Sequence, residues 1–217
     1  MARVTHLTRT LLLPLTLMAL TPSALATGIR GTLGNPGDVA RLMGRTDSVF
    51  VLFGSFTQSS VVGRGELKDG QFFLDIPDRQ ALKLQPFEAC DGVSPSQPIR
   101  VYQTETILLY NQQLNRAIGP LIQADSAKDP TLVVRWMYSD RPATVSGRCT
   151  GLNTRYDLTL KAGWNAVLAA TSASGIGQTY TNVHQALPYW LNGDFRFDRA
   201  RSTLPAAFFD APRTLTR

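Results

Sequence analysis

The chain has 217 residues, a formal charge of +6, 43% hydrophobic residues, only 18% charged ones and two cysteines. That length supports one well-filled core and falls short of three domains. Apolar residues are too frequent for a disordered chain, and the glycine, charge and cysteine contents exclude collagen, a coiled coil and a disulfide-dense toxin scaffold.

Residues 1–26 read as a secretory signal peptide. Arg3 and Arg9 supply the positive start, Leu11 to Leu20 the apolar run, and Ala24-Leu25-Ala26 the small-x-small cleavage site. The alternative, a membrane anchor, needs about 20 apolar residues, whereas this run is shorter and broken by Pro14. Cleavage leaves a mature chain beginning at Thr27, expected in the periplasm, the cell envelope or the extracellular space, with no membrane span. Its basic residues are scattered singly. A mixed, solvated surface is therefore expected, and nucleic acid is not an expected partner.

Along the mature chain hydrophobicity alternates with the period of a strand. SVFVLFGSF at 48–56 is an apolar, β-branched and aromatic run suited to a buried strand. VVGRGELK at 61–68 and QFFLDIP at 71–77 flank Asp69-Gly70, a hairpin signal, because both central turn positions need positive φ. IRVYQTETILLY at 99–110 forms a long, mostly alternating segment. NQQLNRAIGPLIQA at 111–124 has helical spacing, but Gly119-Pro120 cuts it. GDVARLMG at 37–44 predicts one helical turn capped by Asp38.

TLVVRWMY at 131–138 and ATVSGRCT at 143–150 predict a hairpin in which Ala143, Val145 and Cys149 face inward. In RYDLTLK at 155–161, Tyr156, Leu158 and Leu160 face the core. Ala162-Gly163 then turns into WNAVLA. Further strands are expected at GQTYTNVH, 177–184, and at DFRFD, 194–198, with Phe195 and Phe197 inside. Trp136 and Trp164, within strand patterns, are expected in the core. The segment 205–217, containing PAAFFDAP, reads as a short helix or a docked tail.

Many short strands separated by Gly- and Pro-marked turns predict one all-β domain over 27–217, a single antiparallel β-sandwich first and an open β-barrel second. Export to an oxidising compartment favours a bond between Cys90 and Cys149, the alternatives being two buried thiols or a redox pair. Closing a loop of about 60 residues stabilises a fold by about 4 kcal/mol on the chain-entropy model.

Two stretches resemble known modules. VVGRGELKDGQFFLDIP resembles the strand–turn–strand of transthyretin-like and carboxypeptidase-regulatory-like modules, and YDLTLKAGWNAV resembles a strand–turn–strand of secreted bacterial β-sandwich modules. The resemblance covers packing and turn patterns, implies a secreted structural or adhesive accessory, and transfers no catalytic residue. The order Cys90, Trp136, Cys149 suggests an immunoglobulin domain, but that fold places its Trp soon after the first Cys and a Tyr where Gly147 stands. Only an immunoglobulin-like or transthyretin-like architecture is retained.

Chemistry is sparsely encoded. After cleavage His184 is the single histidine, which excludes H-E-x-x-H zinc sites and three-histidine cages, and there is no G-x-S-x-G elbow. Glu66, Glu88 and Glu105 are the only glutamates, and Asp194 and Asp198 flank Arg196 without a calcium-loop pattern. Gly63-Arg64-Gly65 and Gly175-Ile176-Gly177 do not complete a phosphate-binding motif. No cofactor and no metal are expected. The aromatic pair Tyr189 and Trp190, in a loop-like context, is the candidate ligand-binding site, set against the reading that Trp190 plugs one end of the fold. The reading overall is a non-catalytic exported structural or binding module, whose partner is an envelope polymer, a glycan or another secreted protein. A small-molecule or glycan carrier is the second reading, and a hydrolase using acids with His184 the third.

Overall fold

The computed structural model describes residues 27–44, 49–55, 59–76, 82–103, 106–198 and 205–209. The expected leader, Glu105 and the tail at 210–217 lie outside the described residues, as do the side chains of Asp194, Phe195 and Asp198. In chain order, β1 (Thr27–Thr32) and the helix α1 (Pro36–Met43) precede β2 (Val49–Ser55), β3 (Ser60–Lys68) and β4 (Gln71–Ile76). Two short pieces, β5 (Gln85–Pro86) and β6 (Val93–Pro95), lead to β7 (Arg100–Gln103), β8 (Thr106–Asn111) and β9 (Arg116–Ala124). There follow β10 (Leu132–Ser139), β11 (Ala143–Arg148), β12 (Arg155–Leu160), β13 (Gly163–Thr171), β14 (Gln178–Asn182) and β15 (Tyr189–Asp198), then a helical turn at 206–209.

The all-β class is the observed one. Its strands pair through one mixed sheet in the order β1-β4-β3-β2-β8-β9-β10-β13-β14-β12-β11-β6, with β15 added to β9 and β7 to β10. Two separately bonded antiparallel sheets, the expected sandwich, are not what the pairing gives, and β12 with β14 is a parallel pair. Nor is the sheet closed into a barrel. Its β1 end approaches β15, where, among the described residues, an isolated bridge pairs Leu33 with Tyr189 and Gly34 N–H donates to the Tyr189 carbonyl at 2.8 Å.

The Asp69-Gly70 hairpin forms as expected, with φ of 51° and 73° at the two residues joining β3 to β4. All seven residues of β2 are buried because both of its faces are covered. Val49, Val51 and Phe53 enter the largest core with Ile107 and Leu109 of β8, while Phe50, Leu52, Leu108 and Tyr110 point the other way. There they meet Phe208 and Phe209, so the segment at 205–209 is both a helical turn and a docked one. A third cluster joins Val101, Met137, Val145, Leu158, Leu160 and Val167 beneath β7 and β10–β13. Trp164 lies in the largest core, edge-on to Phe53, Tyr138 and Tyr102 at 5.4, 5.6 and 6.0 Å.

Several local expectations change. The N-cap position of helix α1 is Asn35, not Asp38, and the Asn35 side chain makes no capping hydrogen bond to the helix backbone; Asp38 sits inside the first turn and accepts from Asn35 Nδ2 at 3.1 Å. The segment at 99–110 divides into β7 and β8, and 111–124 becomes a turn followed by β9. Burial of Ala117, Ile118 and Leu121 between paired strands overrides the helical spacing there. Cys90 and Cys149 are bonded, with Cα atoms 5.4 Å apart.

Strand β14 inserts between β12 and β13, parallel to one and antiparallel to the other. Asparagine side chains satisfy the backbone where those strands diverge. Asn182 accepts from Thr159 N–H at 2.7 Å and donates to the Thr159 carbonyl at 2.9 Å. Asn165, 5% exposed, accepts from Lys161 N–H and donates to the Lys161 and Gly163 carbonyls, each at 2.9 Å. Removing a buried partner leaves backbone groups unpaired at a cost of roughly 1–3 kcal/mol each. Asn165→Ala is therefore expected to destabilise the protein by about 3 kcal/mol, read as a fall in the urea midpoint at unchanged slope. A loss below about 0.5 kcal/mol would show that water replaces the amide.

Candidate functional site

The aromatic pair singled out from sequence does not stand open to solvent. Residues 189–198 form one strand, not a loop, along β9. Tyr189 is 0% exposed and lies edge-on to Phe72 at 4.9 Å, because alternation along β15 turns it and Leu191 into the largest core. Burial pushes its hydroxyl pKa well above the ordinary tyrosine range, despite a hydrogen bond from Trp136 Nε1 at 3.3 Å. Trp190 is half-buried. Its Nε1 donates to the Ala124 carbonyl at 2.9 Å, and a Cβ added to Gly34 would come within 2.6 Å of its ring.

What Tyr189 touches leads to a better-formed site. Trp136, expected in the core, is only partly buried and borders a cleft of about 440 Å³. The cleft lies along β10. On one edge of β10, Val133 and Val134 pair with β9, and Met137 to Ser139 pair with β7. The end of β7 (Gln103), the start of β8 (Thr106) and the end of β9 (Leu121, Ile122, Gln123) frame the opening.

Its walls are mainly apolar and aromatic. Ile107, Leu121, Val134 and Met137 contribute aliphatic surface, and Phe87, Trp136, Tyr156 and Tyr180 contribute rings. Tyr156 and Tyr180 are direct partners in the parallel β12–β14 register, which places both rings on one face; they stack at 4.6 Å with 16° between planes. Burial, then the neighbouring Tyr180, raises the Tyr156 pKa, so its phenol is protonated at neutral pH.

Two buried polar atoms of the lining lack partners. Thr106 is 5% exposed and its Oγ1 has no hydrogen bond. Gln123 donates from Nε2 to the Leu187 carbonyl at 3.2 Å, which fixes the amide orientation and leaves Oε1 buried without a donor. Buried polar atoms are almost always paired in folded proteins, so two bordering one cleft mark it for an incoming group. Among the described residues, the charged side chains of the lining are Glu88 and Arg135, both exposed. Its aromatic and polar groups can bind and orient a ligand.

A wider depression of about 900 Å³ over the β1–β15 seam is bordered by Arg30, Glu66, Lys68 and Asp69, mixed charges on exposed positions. His184 is exposed just beyond β14. Among the described residues, no group of three or more His, Cys, Asp or Glu could hold a metal ion. Sequence reasoning missed Gln103, Thr106, Gln123, Tyr156 and Tyr180 as site residues. The available signal was Thr106 heading the otherwise apolar run TILLY.

The frame of the cleft is held at the β9–β10 connection by Asp125, which accepts from Thr131 Oγ1 at 2.6 Å, Thr131 N–H at 3.0 Å and Leu132 N–H at 3.1 Å. Burial alone would raise its pKa, but these bonds outweigh it and hold the carboxyl below the ordinary range. A depressed folded pKa contributes stability that is full above the unfolded value of about 3.9 and is lost as pH falls through the folded one. The Asp125→Asn variant is expected to lose stability less steeply than the parent below about pH 4, measured by urea unfolding at stepped pH. Parallel curves for the two proteins would refute this role.

Comparison with protein-family models, curated proteins and solved structures found no match to the chain.

Proposed function

We propose that the chain is an exported β protein that acts as a binding module of the envelope or extracellular space, without chemistry of its own, and that it holds a small ligand in the cleft beside β10. The observation that carries this reading is the pair of unpartnered buried atoms, Thr106 Oγ1 and Gln123 Oε1, among aromatic and aliphatic side chains, the described Glu88, Gln103 and Arg135 of the lining being exposed. Its volume, about 440 Å³, falls within the range of small-molecule sites. Export is supported by the leader-like residues 1–26 and by the Cys90–Cys149 bond, which suits an oxidising compartment. Among the described residues no helix is long and apolar enough to cross a membrane.

An unpartnered hydroxyl costs a fold stability unless something pairs with it. Replacing it by a methyl of the same shape is neutral or stabilising, by up to roughly 1 kcal/mol. Thr106→Val is therefore expected to unfold at the parent's urea midpoint or above it. In a thermal-shift screen of neutral and charged metabolites, compounds that stabilise the parent protein should have little effect on the variant. A variant that is as readily stabilised as the parent by every hit would place the site elsewhere.

A further inference from the structure

We infer that the end of the sheet carrying the β11–β12 and β13–β14 connections docks on the surface of an anionic phospholipid membrane. This docking is independent of the cleft beside β10. Among the described residues four large hydrophobic side chains stand exposed, and the two most exposed share this end: Leu152, 59%, and Ile176, 70%. Leu152 belongs to the loop at 149–154 and Ile176 to the loop at 172–177, and the two loops touch. Asn153 Nδ2 donates to the Ile176 carbonyl at 2.9 Å, and the Asn153 carbonyl accepts from Gln178 N–H at 3.1 Å.

Both tips are held in place by bonds within the protein. Ser172 Oγ donates to the Ile176 carbonyl at 2.6 Å, Leu152 N–H donates to the Cys149 carbonyl at 3.2 Å, and the bond to Cys90 anchors the first loop at its root. Residues 149–154 and 172–177 include no charged side chain. Pressing these loops against an apolar boundary therefore buries no ion.

Charge begins where the first loop meets the sheet. Arg148 and Arg155 flank it and are direct partners in the β11–β12 register, on one face. Like charges so opposed weaken a strand pair, and a phosphate between them removes the repulsion. Arg148 Nη2 donates to Asn153 Oδ1 at 2.8 Å, which ties it to the loop, and both arginines line a depression of about 540 Å³ with Ser146 and Thr179. Of the acids at this end, Asp157 lies opposite Ser146, two rungs further into the sheet, and Asp91 meets the loop through its backbone carbonyl, which accepts from Thr150 N–H at 2.8 Å. Aliphatic tips ahead of paired arginines match the order of acyl chain and phosphate at a lipid surface.

The test is flotation of the full mature protein with vesicles of phosphatidylcholine, alone or with one-third phosphatidylglycerol. Binding is expected to be at least threefold tighter to the anionic vesicles at low salt, with that preference lost at high salt. The Leu152→Ser/Ile176→Ser variant is expected to keep the parent's urea midpoint and to lose roughly tenfold in vesicle affinity. Arg148→Gln/Arg155→Gln is expected to lose the preference for phosphatidylglycerol, and Leu114→Ser, at an exposed leucine in the β8–β9 turn, to change nothing. Calorimetry with glycerol 1-phosphate separates a lipid surface from a soluble phosphate ester. If that ester binds as tightly as the vesicles do and the Leu152→Ser/Ile176→Ser variant behaves like the parent, the site takes a free anion and the inference falls. It falls equally if neither vesicle binds, if both bind alike, or if Leu114→Ser costs as much as the double apolar variant; none of these results touches the reading of the cleft.

Discussion

A sheet that forks must satisfy the backbone groups where its strands part company, and this requirement organises the molecule. Water can reach exposed edges, but buried edges need partners from within the chain. Asparagine serves repeatedly, because its side-chain amide carries the same donor and acceptor as a peptide unit. Asn35 accepts from Leu191 N–H at 2.9 Å and donates to the Leu191 carbonyl at 3.1 Å, standing in for a strand residue at the β1–β15 seam. Asn182 and Asn165 do the same around the inserted β14. The cleft beside β10 differs, since its lining keeps two side-chain oxygens unpaired, Thr106 Oγ1 and Gln123 Oε1.

Packing divides the strands around the cleft. On one side β10 belongs to the core around Trp164, and on the other Met137 belongs to the cluster beneath β11–β13. Each core holds its own strands, and the cleft lies along their boundary. Tyr189 connects the two ends of this arrangement. It is bridged to Leu33 at the seam, packs on Phe72, and accepts the indole hydrogen of Trp136. The residue that looked like a ligand platform in the sequence thus supports one from beneath.

The strands themselves were largely legible in the sequence. Alternation in RYDLTLK, the Asp69-Gly70 turn and the unbroken apolar run through Val49–Gly54 are local signals, and each has a local structural counterpart. The cysteine pairing followed from there being two cysteines in the chain and from the expectation of export. Long-range pairing was not legible. Nothing near Tyr156 or Tyr180 indicates that β14 will insert beside β12, so their stack could not be foreseen. Thr106 reads in sequence as an ordinary strand former, and only its burial makes it unusual. Tyr189 and Trp190 were misplaced because Pro188 and Gly193 suggested a loop, whereas β15 runs through them and absorbs Gly193, φ 91°, at its register shift.

Phe208 and Phe209 carry a consequence for how the polypeptide can mature. They close the outer surface of β2 and β8, yet they follow all fifteen described strands in the chain. While the polypeptide emerges from its amino end, the greasy back of those central ribbons has nothing of its own to lie against. That surface is covered only once residues 208–209, made after all fifteen strands, have docked on it.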